Sequence, residues 1–123
     1  MLEVYSTNVA VEANSAIPFE NVSLRKGCTA LLSGTNTIDL NKCGVYMVSA
    51  DASAESSIMI QLYKNGVAQP QAQSTGGSPS FITLVQVPNN NSCNPCDSAV
   101  SLQLICDTAA TLTNVNLTIT KII

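Results

Sequence analysis

The stretch Ser57-Ile58-Met59-Ile60-Gln61-Leu62-Tyr63-Lys64 limits the fold more than any other. Extended, it puts Ile58, Ile60 and Leu62 on one face and Met59, Gln61 and Tyr63 on the other, and it stops at Asn65-Gly66. Strict alternation followed by Asn-Gly is the strongest short hairpin signal a sequence carries, because both turn residues must take positive φ. The run before it, Gly44-Val45-Tyr46-Met47-Val48-Ser49-Ala50, alternates too, with Tyr46, Val48, Ala50 and Ala52 against Val45, Met47, Ser49 and Asp51. The two runs read as neighbouring strands. No stretch keeps helical periodicity over three turns, so the chain is expected to be all-β with no substantial helix.

The remainder fits that frame. Met1 to Ala13 alternate loosely, with Val4, Ser6 and Asn8 against Tyr5, Thr7, Val9 and Val11, as an extended arm or first strand. Asn14-Ser15-Ala16 reads as a turn. Ile17-Pro18-Phe19-Glu20 reads as a short extended piece at a sheet edge, since Pro18 cannot donate to a ladder. Residues 1–16 are thus expected as an N-terminal arm or first strand and 17–123 as the main domain. Cys28 to Leu32 and Thr37 to Leu40 are short strands, and Val67 to Ser74 is polar and extended. Ser80 to Val87 is apolar on both faces, with Phe81, Val85 and Val87 on one and Ile82 and Leu84 on the other. A partner is expected to cover the second face. Ala99 to Cys106 puts Val100, Leu102 and Leu104 inward, and Thr111 to Ile123 puts Val115, Leu117 and Ile119 inward. Eight to ten such strands punctuated by Gly, Pro, Asn and Ser turns make an antiparallel β-sandwich or jelly roll.

Composition narrows the function. Charged residues are 11% of the 123 against 46% apolar, so Ser, Thr, Asn and Gln must cover the surface. Such a surface lets subunits associate without burying unpaired charge, so it fits a soluble domain with few charges and a subunit of an obligate oligomer or large assembly equally well. The basic residues Arg25, Lys26, Lys42, Lys64 and Lys121 are scattered, leaving no stripe for nucleic acid. No apolar run approaches a membrane span, and the first residues lack a secretion signal, so assembly in a cytoplasm is expected. The Asn-x-Ser/Thr matches at Asn21, Asn90 and Asn116 are accordingly treated as chance.

Catalytic chemistry finds little to stand on. With no histidine, Ser/His/Asp and Cys/His arrangements are excluded. The carboxylates form no local pair and no calcium-loop spacing, and no metal or cofactor is expected. Of the five cysteines, Cys93-Asn94-Pro95-Cys96 has C-x-x-C spacing, compatible with a disulfide-closed loop, a thiol pair, a redox pair or half a zinc site. Cys28 and Cys43 could complete a four-cysteine set, though not at finger spacing. Reduced thiols or one local loop closure are the expected state, with Cys106 a small buried hydrophobe.

Gly44-Val45-Tyr46-Met47-Val48, followed after about ten residues by the apolar strand ending in Asn65-Gly66 and then by two late alternating strands, resembles the C1q/TNF-like jelly roll. The small bacterial and phage versions, including phage head fibre and capsid decoration proteins, look similar over nearly the whole chain. The matching segments are Tyr5-Ser6-Thr7-Asn8, Ile17-Pro18-Phe19, Asn65 to Pro70 and the loop with Cys93 and Cys96. The resemblance implies a homotrimer on a threefold axis, with Tyr46, Val48, Tyr63 and Phe81 as interface or core candidates. It implies a non-enzymatic virion subunit on the capsid exterior, held through residues 1–16 to the major capsid protein or other virion proteins. The alternative is a glycan- or receptor-binding head of a fibre or bacterial surface protein that meets host-surface glycans, although the chain has no tryptophan for a sugar platform.

Overall fold

The computed structural model describes residues 1–27, 29–88 and 100–123. In chain order the strands are β1 (Leu2–Val11), β2 (Ser15–Ala16), β3 (Asn21–Arg25), β4 (Ala30–Ser33), β5 (Thr37–Leu40), β6 (Gly44–Ala54), β7 (Ile58–Lys64), β8 (Val67–Gly76), β9 (Ser80–Val87), β10 (Val100–Cys106) and β11 (Ala110–Lys121). They form two antiparallel sheets. The first runs β3-β1-β11-β6-β9; the second runs β4-β5-β10-β7-β8, with β2 also pairing β10. The described residues contain no helix.

Alternation explains the packing. Tyr46, Val48, Ala50 and Ala52 of β6 and Val115, Leu117 and Ile119 of β11 point inward from the first sheet. They meet Ile58, Ile60 and Leu62 of β7 and Val100, Leu102, Leu104 and Cys106 of β10 from the second. Each fully buried Leu or Ile contributes roughly 1.5–3 kcal/mol of transfer free energy, so this seam dominates stability. The Asn65-Gly66 hairpin forms between β7 and β8, with φ 52° at Asn65 and 80° at Gly66. The Asn65 carboxamide oxygen also accepts from the Ser101 amide at 2.8 Å, fastening the turn to β10.

Several expectations are corrected. β6 and β7 are not sheet neighbours: they lie in opposite sheets. Ile17 to Glu20 is not an edge strand, for Ile17 and Phe19 are 0% and 1% exposed. The Ile17 amide donates to Leu104 O at 2.8 Å and the Phe19 amide to Thr35 O at 2.6 Å, so the segment plugs one end of the core. Ser6 holds it there, its hydroxyl donating to Pro18 O at 2.7 Å and accepting from the Glu20 amide at 2.8 Å. Ser15 and Ala16 pair Cys106 and Ile105 rather than only turning. Residues 21–25, for which no element was expected, form β3 along β1.

The stretch 1–16 is built into the sandwich. β1 lies between β3 and β11, with Leu2, Val4, Val9 and Val11 buried. The inward set changes parity midway, because Asn8 takes φ 52° and shifts the phase, so that Val4 and Ser6 and then Val9 and Val11 all face the core. Asparagine tolerates that left-handed conformation better than most residues.

Two substitutions test this framework. Ser6→Ala strips partners from the Pro18 carbonyl and the Glu20 amide and is expected to cost roughly 1–3 kcal/mol, read as a lower urea midpoint. Gly44 has φ +146°, and a Cβ there meets the Ile123 carbonyl oxygen and lies 2.8 Å from Lys121 Cε. Gly44→Ala is therefore expected to destabilise by roughly 1–3 kcal/mol from backbone strain alone, again seen as a lower midpoint.

Candidate assembly surface

The outer face of the first sheet is the candidate site. Strand register sets its side chains in rows. Glu3, Thr118, Ser49 and Ile82 form one; Thr120, Met47 and Leu84 form the next; Tyr5, Asn116, Asp51 and Ser80 lie on the other side. Apolar side chains gather where β6 meets β9. Ile82 is 68% exposed, Leu84 58% and Met47 39%, and Val45 beside them is half-buried. A monomer gains nothing from holding three large apolar side chains together in water, and a contiguous apolar patch marks an interaction surface. The other half of the face is polar and ordered. The Glu3 carboxylate accepts from Ser23 Oγ at 2.6 Å and from Thr118 Oγ1 at 3.1 Å, bridging β1, β3 and β11.

The four residues read as interface or core candidates are separated by the fold. Tyr46 and Val48 are 0% exposed and belong to the core. The Tyr46 hydroxyl donates to Lys42 O at 2.8 Å, so even its polar end is satisfied internally. Phe81 is half-buried against the core. Tyr63 is half-buried on the outer face of the second sheet, opposite Gln103 and Ala68. None of them stands on the apolar patch. Ile82 and Leu84 form the second face of the Ser80 to Val87 strand, and Met47 and Val45 come from the strand beside it.

Cys93 and Cys96 lie outside the described residues. Cys43 is disulfide-bonded. Cys106 is a free, buried thiol whose Sγ donates to Thr108 O at 3.2 Å. Asp107 is structural: its Oδ1 accepts from the Met59 amide at 2.9 Å. Among the described residues, no three Cys, Asp or Glu side chains converge as metal ligands would.

This architecture is that of the C1q/TNF-like jelly roll, over nearly the whole chain. Among solved structures, PRD1 vertex protein P5 superposes with a TM-score of 0.68 at 13% identity, covering 99% of this chain and 96% of that one. The globular domain of zebrafish complement 1qA protein gives 0.70 at 12% identity, with coverage of 99% and 96%. Murine APRIL at pH 5.0 gives 0.67 at 9% identity, with coverage of 94% and 96%. At such identities the likeness establishes the fold. No protein-family model matches the chain and no curated protein sequence matches it.

Burial of Tyr46 and Cys106 has a pH consequence. Burial raises the pKa of the Tyr46 phenol, its hydrogen bond to Lys42 partly opposing the shift. Burial likewise raises the Cys106 thiol, partly opposed by the Thr108 contact. Both groups are neutral below their unfolded pKa values, so this contribution to stability is intact there. Above them the unfolded chain loses its protons first, and stability falls until the folded pKa is passed. Urea midpoints are therefore expected to decline from about pH 9 upward, and Tyr46→Phe with Cys106→Ala should flatten that decline.

Proposed function

We infer that the protein is a non-enzymatic structural subunit of a virion: a homotrimeric head fibre or capsid decoration protein on the capsid exterior. The exposed Met47, Ile82 and Leu84 patch on a sheet with few charges carries this reading, because it is a surface made to be covered. The fold match to a protein described as a vertex protein supports the virion setting. In this reading the first sheets of three copies face a common axis, with the patch of each copy against its neighbours. Burying one Ile or Leu side chain contributes roughly 1.5–3 kcal/mol, and threefold repetition multiplies it. Low charge allows the approach without stranding an ion. The trimer assembles in the bacterial host cytoplasm and then docks on the major capsid protein or another virion protein.

Docking through residues 1–16 takes a particular form. β1 cannot detach without exposing Leu2, Val4, Val9 and Val11, so contact with the shell uses what the folded strand leaves outside, such as Met1, Asn8 and Glu12. Deleting residues 1–13 removes a sheet strand and is therefore not a clean test of attachment. Glu12→Lys combined with Asn8→Gly is the suitable probe, scored as occupancy on purified shells.

The trimer is tested by sedimentation equilibrium. Three times the chain mass is expected, and a monomer at high concentration overturns the reading. Leu84→Lys places a charge in the seam and should weaken association by about 100-fold or more, while the far-ultraviolet β signal stays unchanged.

A further inference from the structure

Among the described residues β9 is one of the two edges of the first sheet, β3 being the other, and its hydrogen-bonding groups can be assigned from the ladder. Val45 is bonded towards the chain's last residues: its amide donates to Ile123 O, and its carbonyl accepts from Ile122 and Ile123. Backbone groups alternate sides along a strand, and Val45 is opposite Gln86. Gln86 therefore turns its N–H and C=O away from β6, as do Leu84, Ile82 and Ser80. The strand's two most exposed apolar side chains belong to the same residues that present free backbone groups at the edge.

Such an edge is complementary to itself. Two copies of β9 related by a twofold through Thr83 pair Ile82 with Leu84 of the second copy. The next rungs outward pair Ser80 with Gln86, joining the Ser80 amide to the Gln86 carbonyl. In this chain both groups are already occupied. Lys64 Nζ, from the end of β7 in the opposite sheet, donates to Gln86 O at 2.9 Å. Ser74 Oγ, from β8, accepts from the Ser80 amide at 3.2 Å.

We propose that Lys64 and Ser74 are edge guards that stop a second copy of this chain from joining its first sheet to this one through β9. They occupy the acceptor and donor of the outermost rungs, and the ammonium adds a charge that an incoming strand must desolvate. Natural sheets commonly protect edges with lysine. Here the lysine is also a strap between the two sheets. The device acts whatever the oligomeric state, because it concerns the edge and not the face of the sheet.

The test compares the wild-type chain with Lys64→Met, Ser74→Ala and the double variant by sedimentation and amide hydrogen exchange. In the double variant the concentration for pairing should fall about tenfold for each cap removed. The product should have twice the wild-type mass, with new protection at the Ile82 and Leu84 amides. Lys64→Gln, which keeps a donor, should not pair. A folded double variant with the wild-type mass and unprotected edge amides overturns the proposal. A double variant that does not fold, beside single variants that fold at the wild-type mass, overturns it too, since the contacts are then ties within the fold. Because doubling is measured against the wild-type species, failure here is distinct from failure to form a trimer.

Discussion

The position of β11 between β1 and β6 is the constraint on which the remaining architecture depends. One strand supplies ladder partners to both neighbours and sends Leu112, Val115, Leu117 and Ile119 into the core. Because a strand's side chains alternate, fixing that double register decides which residues of β1, β6 and β9 face in. The outer rows that bring Met47 beside Leu84 and Ser49 beside Ile82 follow from it. A slip of one residue would send the core side chains into water and the polar row of Asn116 and Thr118 inward. The irregularities sit where they do no harm: Asn8 on β1 and the shift between Leu112 and Asn114 on β11 occupy the same end of the sheet, so both strands change phase together.

Much of this was legible in the residues. Period-two alternation identified β6, β7, β9, β10 and β11 and divided their side chains into the two faces the sheets show, and Asn65-Gly66 identified the hairpin. What escaped notice depends on contacts remote in sequence. β3 has no buried side chain of its own and exists because β1 offers an edge, so no local pattern announces it. Ile17 and Phe19 straddle a proline, which argues for an edge. They are buried because Ser6, Leu104 and Thr35 supply backbone partners from elsewhere. Asn8 breaks the alternation of β1, and its identity was the available clue.

The candidate site was legible in its chemistry and less so in its membership. A strand apolar on both sides has Ile82 and Leu84 on its second face, and both are exposed in the structure. For the residues read as interface or core candidates, the choice between the two turns on where a tyrosine hydroxyl can find a partner. In Tyr46 it finds Lys42 O inside the same subunit, which lets a large side chain fill the core without an unpaired polar atom. The exposed patch is instead aliphatic with one methionine, without hydrogen-bonding tips, and it suits close packing against a copy of the same surface rather than recognition of a polar ligand.

The pairing of β1 with β11 also orders events in time. Leu2 meets Ile119 and Val11 meets Ala110, so a central ladder joins residues about a hundred positions apart. Such long-range pairing makes folding slow, because the chain must close a large loop before any bond in that ladder forms. On the ribosome, the edges of β1 and β6 that β11 will take stay unpaired until residues 110–121 emerge. During that interval every nascent chain on a shared message carries the same two open strands. Whatever shields those edges before β11 arrives bears on yield as much as the finished core does.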